Sequence, residues 1–295
     1  MLISRQNLTV IIVSFKSDHI IHHCINSIDK EIEIIIIDNS NDIDFKNDIE
    51  NRYKNVSCIL SRENIGMGAG NNLGIKNTNK DFVLILNPDV ILEKNTISEI
   101  ITASKKLDAF AIIAPISDKK DYPNYKLNKN QNDKFNLSDP FKVKTVDGYS
   151  MLLNLKRLKN LGNFDFFDEN FFLYLENDDF CKRLSSINEN IFVVPRAKIH
   201  HLGGEAVDPK FKYEIELSRN WHWMWSKFYF NKKHYGYFVA TLKIFNNLIS
   251  AKIKFFYYLI TFNNYKKKIY QMRLSGLLNS MLGKKSFYRP KINNQ

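Results

Sequence analysis

A chain of 295 residues, 44% hydrophobic and 25% charged, has enough apolar material for a sizeable core and reads as an ordinary folded protein. Cys24, Cys58 and Cys181 form no CxxC pair, which speaks against a disulfide framework or thiolate zinc site and fits a reducing cytoplasm. No apolar run reaches the ~18–20 residues of a membrane span, and the opening MLISRQNLTVIIVSF runs into a strand rather than a secretory leader.

Short β-branched runs alternate with amphipathic segments, the pattern of βαβ units around a mainly parallel sheet. Strands are predicted at 8–15, 32–37, 56–60, 82–86, 111–114, 149–154 and 191–194. After the first, Ser17-Asp18 is expected to cap a helix carrying Ile20, Ile21, Cys24, Ile25 and Ile28 on one side. The polar stretch 117–139 reads as a long loop or lid, and a helix is expected over 174–186.

In such a sheet, ligands bind beyond the carboxyl ends of the strands. The first strand ends in Ser14-Phe15-Lys16, and the second in Asp38-Asn39-Ser40, where Asp38 is placed to accept from a base or ribose, or to close a turn. The glycine-dense run from Arg62 to Gly74 lets the backbone approach a phosphate, or simply makes a tight strand-to-helix turn. In DFVLILNPDVIL the acid Asp89 lies just past a buried strand, where a carboxylate holds a divalent cation on a diphosphate or stands alone. His200-His201 follows the 191–194 strand, as metal ligands or as a packed pair. In the acidic cluster, Glu176, Asp179 and Arg183 share one helical stripe. One carboxylate would serve as a general base, or the acids simply favour the helix dipole and an i,i+4 ion pair.

The ordered segments TVIIVSFKS, IIIIDNS, RENIGMGAGNNLGI, VLILNPDVIL, VDGYSMLL, NFDFFDENFFLYLENDDFCKRL and VPRAKIHHLGG resemble the family 2 inverting glycosyltransferases, especially the rhamnosyltransferase-like branch. The resemblance implies a GT-A (Rossmann-like) α/β domain over 1–205, with a nucleotide-sugar half at 1–115 and an acceptor half at 140–205. It implies that Ser14, Asp38, Asn64, Gly66, Asn71 and Asn87 line the donor site. It places Asp89 and His201 on a divalent metal, Mg2+ or Mn2+, and Asp147 and Gly148 beside the acceptor. Many relatives carry an acid where this chain has Asn177, and an amide cannot accept a proton, so Glu176 becomes the first candidate base and Asp179 the second. The implied reaction moves a sugar, first a rhamnose-like deoxyhexose on dTDP with UDP- and GDP-sugars open, to a glycan or lipid-linked acceptor. A nucleotidyltransferase and an inactive protein of the same fold are the alternatives; the nucleotidyltransferase's usual basic glycine loop is missing after the first strand.

Residues 206–295 read as a basic, aromatic-rich helical extension. Residues 217–295 hold 15 Lys/Arg and no Asp or Glu, so the net charge of +12 resides there. Between 235 and 262, Lys243, Asn247, Ser250 and Lys254 make a polar stripe, while Leu242, Phe245, Leu248, Ile249, Ile253 and Phe256 are apolar. Such a helix suits the inner face of an anionic membrane, or docks on the catalytic domain or another subunit as a homo-oligomer contact; no nucleic-acid module is present.

Overall fold

The computed structural model describes residues 2–119, 121–127, 139–162 and 165–292. The chain divides into two compact units, Met1–Asp168 with Asn177–Asp208, and Glu169–Glu176 with Pro209–Gln295.

The first unit opens with three β-branched runs joined by helices: β1 (Leu8–Ser14), α1 (Ile21–Asn26), β2 (Glu33–Asp38), α2 (Ile43–Arg52) and β3 (Val56–Leu60). Then follow α3 (Met67–Lys76), β4 (Phe82–Leu86), β5 (Val90–Leu92), α4 (Thr96–Ser104) and β6 (Ile112–Ser117). Short strands β7 (Tyr125–Lys126), β8 (Phe141–Lys142) and β9 (Thr145–Val146) lead into β10 (Ser150–Asn154), α5 (Leu155–Lys159), α6 (Glu176–Ser186) and β11 (Ile191–His201).

Among the described residues the main sheet has nine strands in the order β3-β2-β1-β4-β10-β6-β11-β5, with β8 beside β11. β3, β2, β1 and β4 run parallel, as do β6 and β11. The sheet is more mixed than the sequence suggests, because β10 runs antiparallel between β4 and β6, and β5 and β8 antiparallel to β11. Reversing β10 is what brings residues 147–149, just before it, to the edge where β1, β2 and β4 end.

Alternation along the strands feeds two cores. Val10, Ile12, Ile34, Ile36 and Leu84 pack on one face with α1, α2 and α4. Ile11, Val13, Ile35, Ile37 and Ile85 pack on the other with α3, α5 and α6. The approach of α3 is close: a Cβ at Gly74 would lie 2.6 Å from Ile11 Cγ2, and one at Gly70 would lie 2.9 Å from Val13. Both glycines are therefore demanded by helix-on-strand packing, and only Gly66, at φ 86°, serves the turn itself.

Several local expectations are corrected. Ser17 does not cap α1 with its side chain; its hydroxyl donates to the Ala206 carbonyl at 2.6 Å, and its own carbonyl accepts from Ile20 and Ile21. The helix expected from 174 begins at Glu176, because Tyr174 and Leu175 are left-handed, with φ of 71° and 68°. β11 continues to His201, so both histidines lie within a strand rather than after one. Within the stretch read as a loop, Ser117 ends β6 and Tyr125–Lys126 pairs with β9; Lys120 and residues 128–138 lie outside the described residues.

The second unit contains α7 (Lys212–Ile260) and α8 (Asn264–Met281). Gly236, at φ 82° and ψ 165°, breaks α7 into two limbs, and the Lys227 ammonium on the first donates to Asn247 on the second at 3.0 Å. The chain thus doubles back at a residue only glycine serves without strain. Leu217, Trp221 and Trp225 pack with Ile269 and Met272 of α8, while Met224 and Phe228 pack with Ala240, Ile244 and Leu277. Gly276 lets the two backbones meet, since a Cβ there would lie 2.1 Å from the Trp221 carbonyl oxygen. Segment 169–176 packs on the same helices: Phe171 lies against Tyr229, Phe172 stacks on His222, and the Leu173 carbonyl accepts from Ser226 Oγ at 2.8 Å.

His222 is fully buried, its Nε2 2.8 Å from the Tyr288 carbonyl and its Nδ1 2.9 Å from Ser286 Oγ. A carbonyl only accepts, so the proton sits on Nε2 and the ring is neutral. Burial is the main cause that lowers its pKa to about 3. An unfolded histidine protonates near 6.5, so between these values unfolding takes up a proton and stability falls as the pH drops from 6.5 toward 3. The expected slope is about 1.4 kcal/mol per pH unit. Denaturant unfolding of the native protein and of His222→Gln across this window should differ by that slope; parallel pH dependences would refute the assignment.

Candidate functional site

Parallel pairing brings the ends of β1, β2 and β4 to one edge, where Ser14 lies opposite Asp38 in register. At the end of β2, Asp38 is buried, its Oδ1 accepting from the Ser40 amide at 3.2 Å and its Oδ2 from the Asp42 amide at 2.9 Å. Burial is the largest influence and raises its pKa, against those hydrogen bonds. Asp38 therefore closes the turn through Ser40 and Asp42.

Asn64 Oδ1 accepts from the Gly66 amide at 3.2 Å, and the Gly66 carbonyl accepts from Asn39 at 3.2 Å, which fixes the turn into α3. Asn71 is buried on that helix. Its neighbour Asn72 is a structural residue, exchanging two hydrogen bonds with the Phe167 backbone at 2.8 and 3.0 Å.

The turn after β4 is held at several points. The Asn87 amide donates to the Tyr149 carbonyl at 2.9 Å, the Asn87 carbonyl accepts from Val90 at 3.1 Å and from the Cys24 thiol at 3.5 Å, and the Asp89 carbonyl accepts from Leu202 at 3.1 Å. Asp89 is 2% exposed, and its Oδ2 lies 3.5 Å from His201 Nε2. Burial, the largest influence, would raise the Asp89 pKa. The hydrogen bond and charge of His201, with the amides of Asp89 and Glu205, outweigh it and hold the carboxyl below its ordinary value. His200 points elsewhere, 2.8 Å from Asp118 and 3.5 Å from Glu93, in an exposed cluster. Alternation along β11 separates the two histidines.

Among the described residues, five buried polar atoms at this edge have no hydrogen-bond partner within the protein: Ser14 Oγ, Asn71 Oδ1, Asn87 Oδ1, Asp89 Oδ1 and Ser150 Oγ. Buried polar atoms are almost always paired, so their concentration on one edge marks a place built for a polar ligand. Among the described residues no cluster of three or more His, Cys, Asp or Glu is arranged to hold a metal. One carboxylate with an unsatisfied oxygen and one imidazole nonetheless fit a divalent cation that completes its shell with diphosphate oxygens and water.

Asp147 and Gly148 lie just before β10. Asp147 is pushed to a higher pKa mainly by burial, then by the charge of Asp178, and its amide donates to the Asn124 carbonyl at 2.9 Å. Gly148 faces the first turn of α6, where an added Cβ would lie 3.1 Å from Asn177 Cβ. The Asn177 amide donates to the Val146 carbonyl at 2.8 Å, so the residue that cannot be a base tethers this loop instead. Asp178 pairs with Lys126 at 3.0 Å. Asp179 is fully buried and bound to Arg183 at 2.9 Å; Arg183 also donates to the carbonyls of Asp165 and Phe166. The second candidate base is thus committed to an i,i+4 ion pair that holds residues 165 and 166. Glu176 is buried and opens α6 directly after the left-handed pair Tyr174-Leu175.

Comparison with known proteins follows the same outline. The profile described as Glycosyl transferase family 2 matches residues 9–167. The chain belongs to that family. It is 28% identical over 204 residues to the low-salt glycan biosynthesis hexosyltransferase Agl10 of Haloferax volcanii, a match covering 63% of this chain and 64% of that relative. The match therefore spans just under two thirds of the relative's length.

Three solved structures share the fold. The mannosyltransferase PcManGT of Pyrobaculum calidifontis, in complex with GDP-Man and Mn2+, aligns with a TM-score of 0.57 at 10% identity over 96% of this chain and 89% of its own. GalNAc-T7 with UDP, GalNAc and Mn2+ aligns at 0.53 and 13% identity, over 82% and 57% of the two chains. TarS 1-349 of S. aureus with UDP aligns at 0.51 and 13% identity, over 97% and 94%.

Sequence reasoning passed over Tyr149. Its ring stacks on His201 with centroids 3.9 Å apart, while its carbonyl anchors Asn87, so one residue braces both the imidazole and the turn bearing Asp89. The only sequence signal was an aromatic directly after Asp147-Gly148. Tyr149→Phe keeps the stack and Tyr149→Ala removes it, so any Mn2+ affinity the native protein shows should stay within about twofold in the Phe variant and fall roughly tenfold in the Ala variant, as loss of a residue that orients a ligand does. Electron paramagnetic resonance titration reads this without turnover; equal affinity in the Ala variant would remove the role.

Proposed function

We propose that the chain is an inverting glycosyltransferase that moves a hexosyl group from a nucleoside-diphosphate sugar to a hydroxyl of a glycan or lipid-linked glycan. The supporting observation is the set of five buried polar atoms without a protein partner at the carboxyl ends of β1 and β4, the start of β10 and the amino-terminal half of α3, around the Asp89–His201 pair. The GDP-Man and UDP bound in the fold relatives favour a nucleotide-sugar donor for this edge.

In this reading Ser14, Asp38, Asn64, Gly66, Asn71 and Asn87 receive the nucleoside and diphosphate. Asp89 and His201 would hold a Mg2+ or Mn2+ ion, whose chemistry there is to neutralise charge on the departing diphosphate. Asp147 and Gly148 border the acceptor. Glu176 takes the proton of the acceptor hydroxyl as that oxygen attacks the anomeric carbon, the bond to the diphosphate oxygen breaks, and the configuration inverts. Assigning this to Glu176 rather than Asp179 follows from the Arg183 pair that occupies Asp179. The resemblance to the rhamnosyltransferase-like branch makes a rhamnose-like deoxyhexose on dTDP the first donor to test. We place the enzyme at the cytoplasmic face of the cell membrane, in surface polysaccharide synthesis.

Incubation with Mn2+ or Mg2+ and a panel of dTDP-rhamnose, UDP- and GDP-sugars should release nucleoside diphosphate. Pyrophosphate release from a nucleoside triphosphate and a sugar phosphate would instead favour a nucleotidyltransferase. Asp89→Ala should lower metal-dependent donor turnover by about 10²–10³-fold, the usual effect of losing a charge-stabilising group. Glu176→Gln should retain donor binding by calorimetry yet lose about 10²–10⁴-fold in transfer. Unchanged rates would remove the respective assignments.

A further inference from the structure

The apolar residues of 237–260 divide between two faces. Ala240, Ile244 and Ala251 are buried, with Leu248 packed beside them, and Ile244 and Ala240 contact Leu277 of α8. At 100° per residue, Leu242, Phe245, Ile249, Ile253, Phe256 and Ile260 fall on a different face. They follow one another at intervals of three and four residues and are 39–74% exposed. At 1.5 Å per residue the stripe is about 27 Å long. A continuous exposed apolar stripe is uncommon on a protein surface and marks an interaction site.

Charge identifies the occupant. Lys252 borders the stripe, Lys243 and Lys254 lie farther round the limb with their ammoniums over the rings of Tyr235 and Tyr270, and Lys266, Lys267 and Lys268 open the helix that follows. No Asp or Glu occurs after Glu216, so a second copy laid along this stripe would face lysines with lysines and bring no countercharge. An anionic headgroup layer supplies that countercharge along the whole length, and Phe245 and Phe256 suit the boundary between headgroups and acyl chains. Among the described residues no helix is long and apolar enough to cross a bilayer.

We infer that the 237–260 limb is an in-plane anchor, with its Leu242–Ile260 face immersed in an anionic lipid surface and Lys252 at headgroup level. The inference adds a surface and a lipid chemistry to the peripheral placement proposed above, and binding does not depend on the donor reaction. The full chain should co-sediment with phosphatidylcholine vesicles containing about a third phosphatidylglycerol, and only weakly with pure phosphatidylcholine, with binding reduced by salt. The triple change Leu242→Gln, Ile249→Gln, Ile253→Gln alters exposed positions only. It should lower vesicle affinity at least tenfold while leaving circular dichroism and donor turnover unchanged. Lys252→Gln should lower affinity about fivefold. Failure of the native chain to bind anionic vesicles would overturn the inference. So would a dimer, seen by light scattering, that the triple change dissociates, since the stripe would then belong to a second copy. Vesicle binding without release of nucleoside diphosphate from any donor would leave the anchor standing and remove the transferase reading.

Discussion

The pairing of β5 with the end of β11 is the constraint on which the site depends. Val90 stands opposite His201, and the Asp89 carbonyl takes the amide of Leu202, so the backbone fixes where the carboxylate and the imidazole meet. Shifting this register by one residue would turn His201 away and present His200, because side chains alternate along a strand. The edge also receives the segment after β11. His19 contacts the Glu205 carbonyl, Ser17 donates to Ala206, and the Asp208 amide donates to Lys16, tying that segment back to the end of β1.

Polar groups here serve two purposes. Asp38, Asn64, Asn72, Asn177 and Asp179 hold the backbone around the edge, through turns, tethers and one buried ion pair. Ser14, Asn71, Asn87, Asp89 and Ser150 instead carry buried atoms with no partner within the protein. A buried polar atom with no partner at all costs about 1–3 kcal/mol, so these positions favour a ligand that brings donors and acceptors to them. The more firmly the first group holds the scaffold, the less the second group can relax to satisfy itself.

Much of this was readable in the residues. β1, β2 and β4 declare themselves as apolar runs buried on both faces, and the polar residues at their ends follow from strand length. The family resemblance paired Asp89 with His201, and the two side chains lie 3.5 Å apart. Other features depend on tertiary geometry that leaves no local trace. Tyr174 and Leu175 are left-handed without being glycine, so nothing in their identity warned that α6 would start late. The stacking of Tyr149 on His201 depends on β10 running antiparallel. In the C-terminal limb, Leu248 and Ile249 look alike in sequence yet occupy different faces, and only the position of α8 separates them.

The assignment of residues 169–176 to the C-terminal unit bears on how this chain can be divided or recombined. Phe171 and Phe172 precede α6 in sequence but lie in the helical core, beside Tyr229, His222 and Arg289. A fragment ending near residue 205 would carry both rings into water without their partners, and a grafted C-terminal extension would arrive with a gap where they belong. The two units are interleaved along the chain rather than placed end to end. Change in one is therefore bound to compensating change in the other, and the protein has no seam at which a single crossover exchanges a complete module.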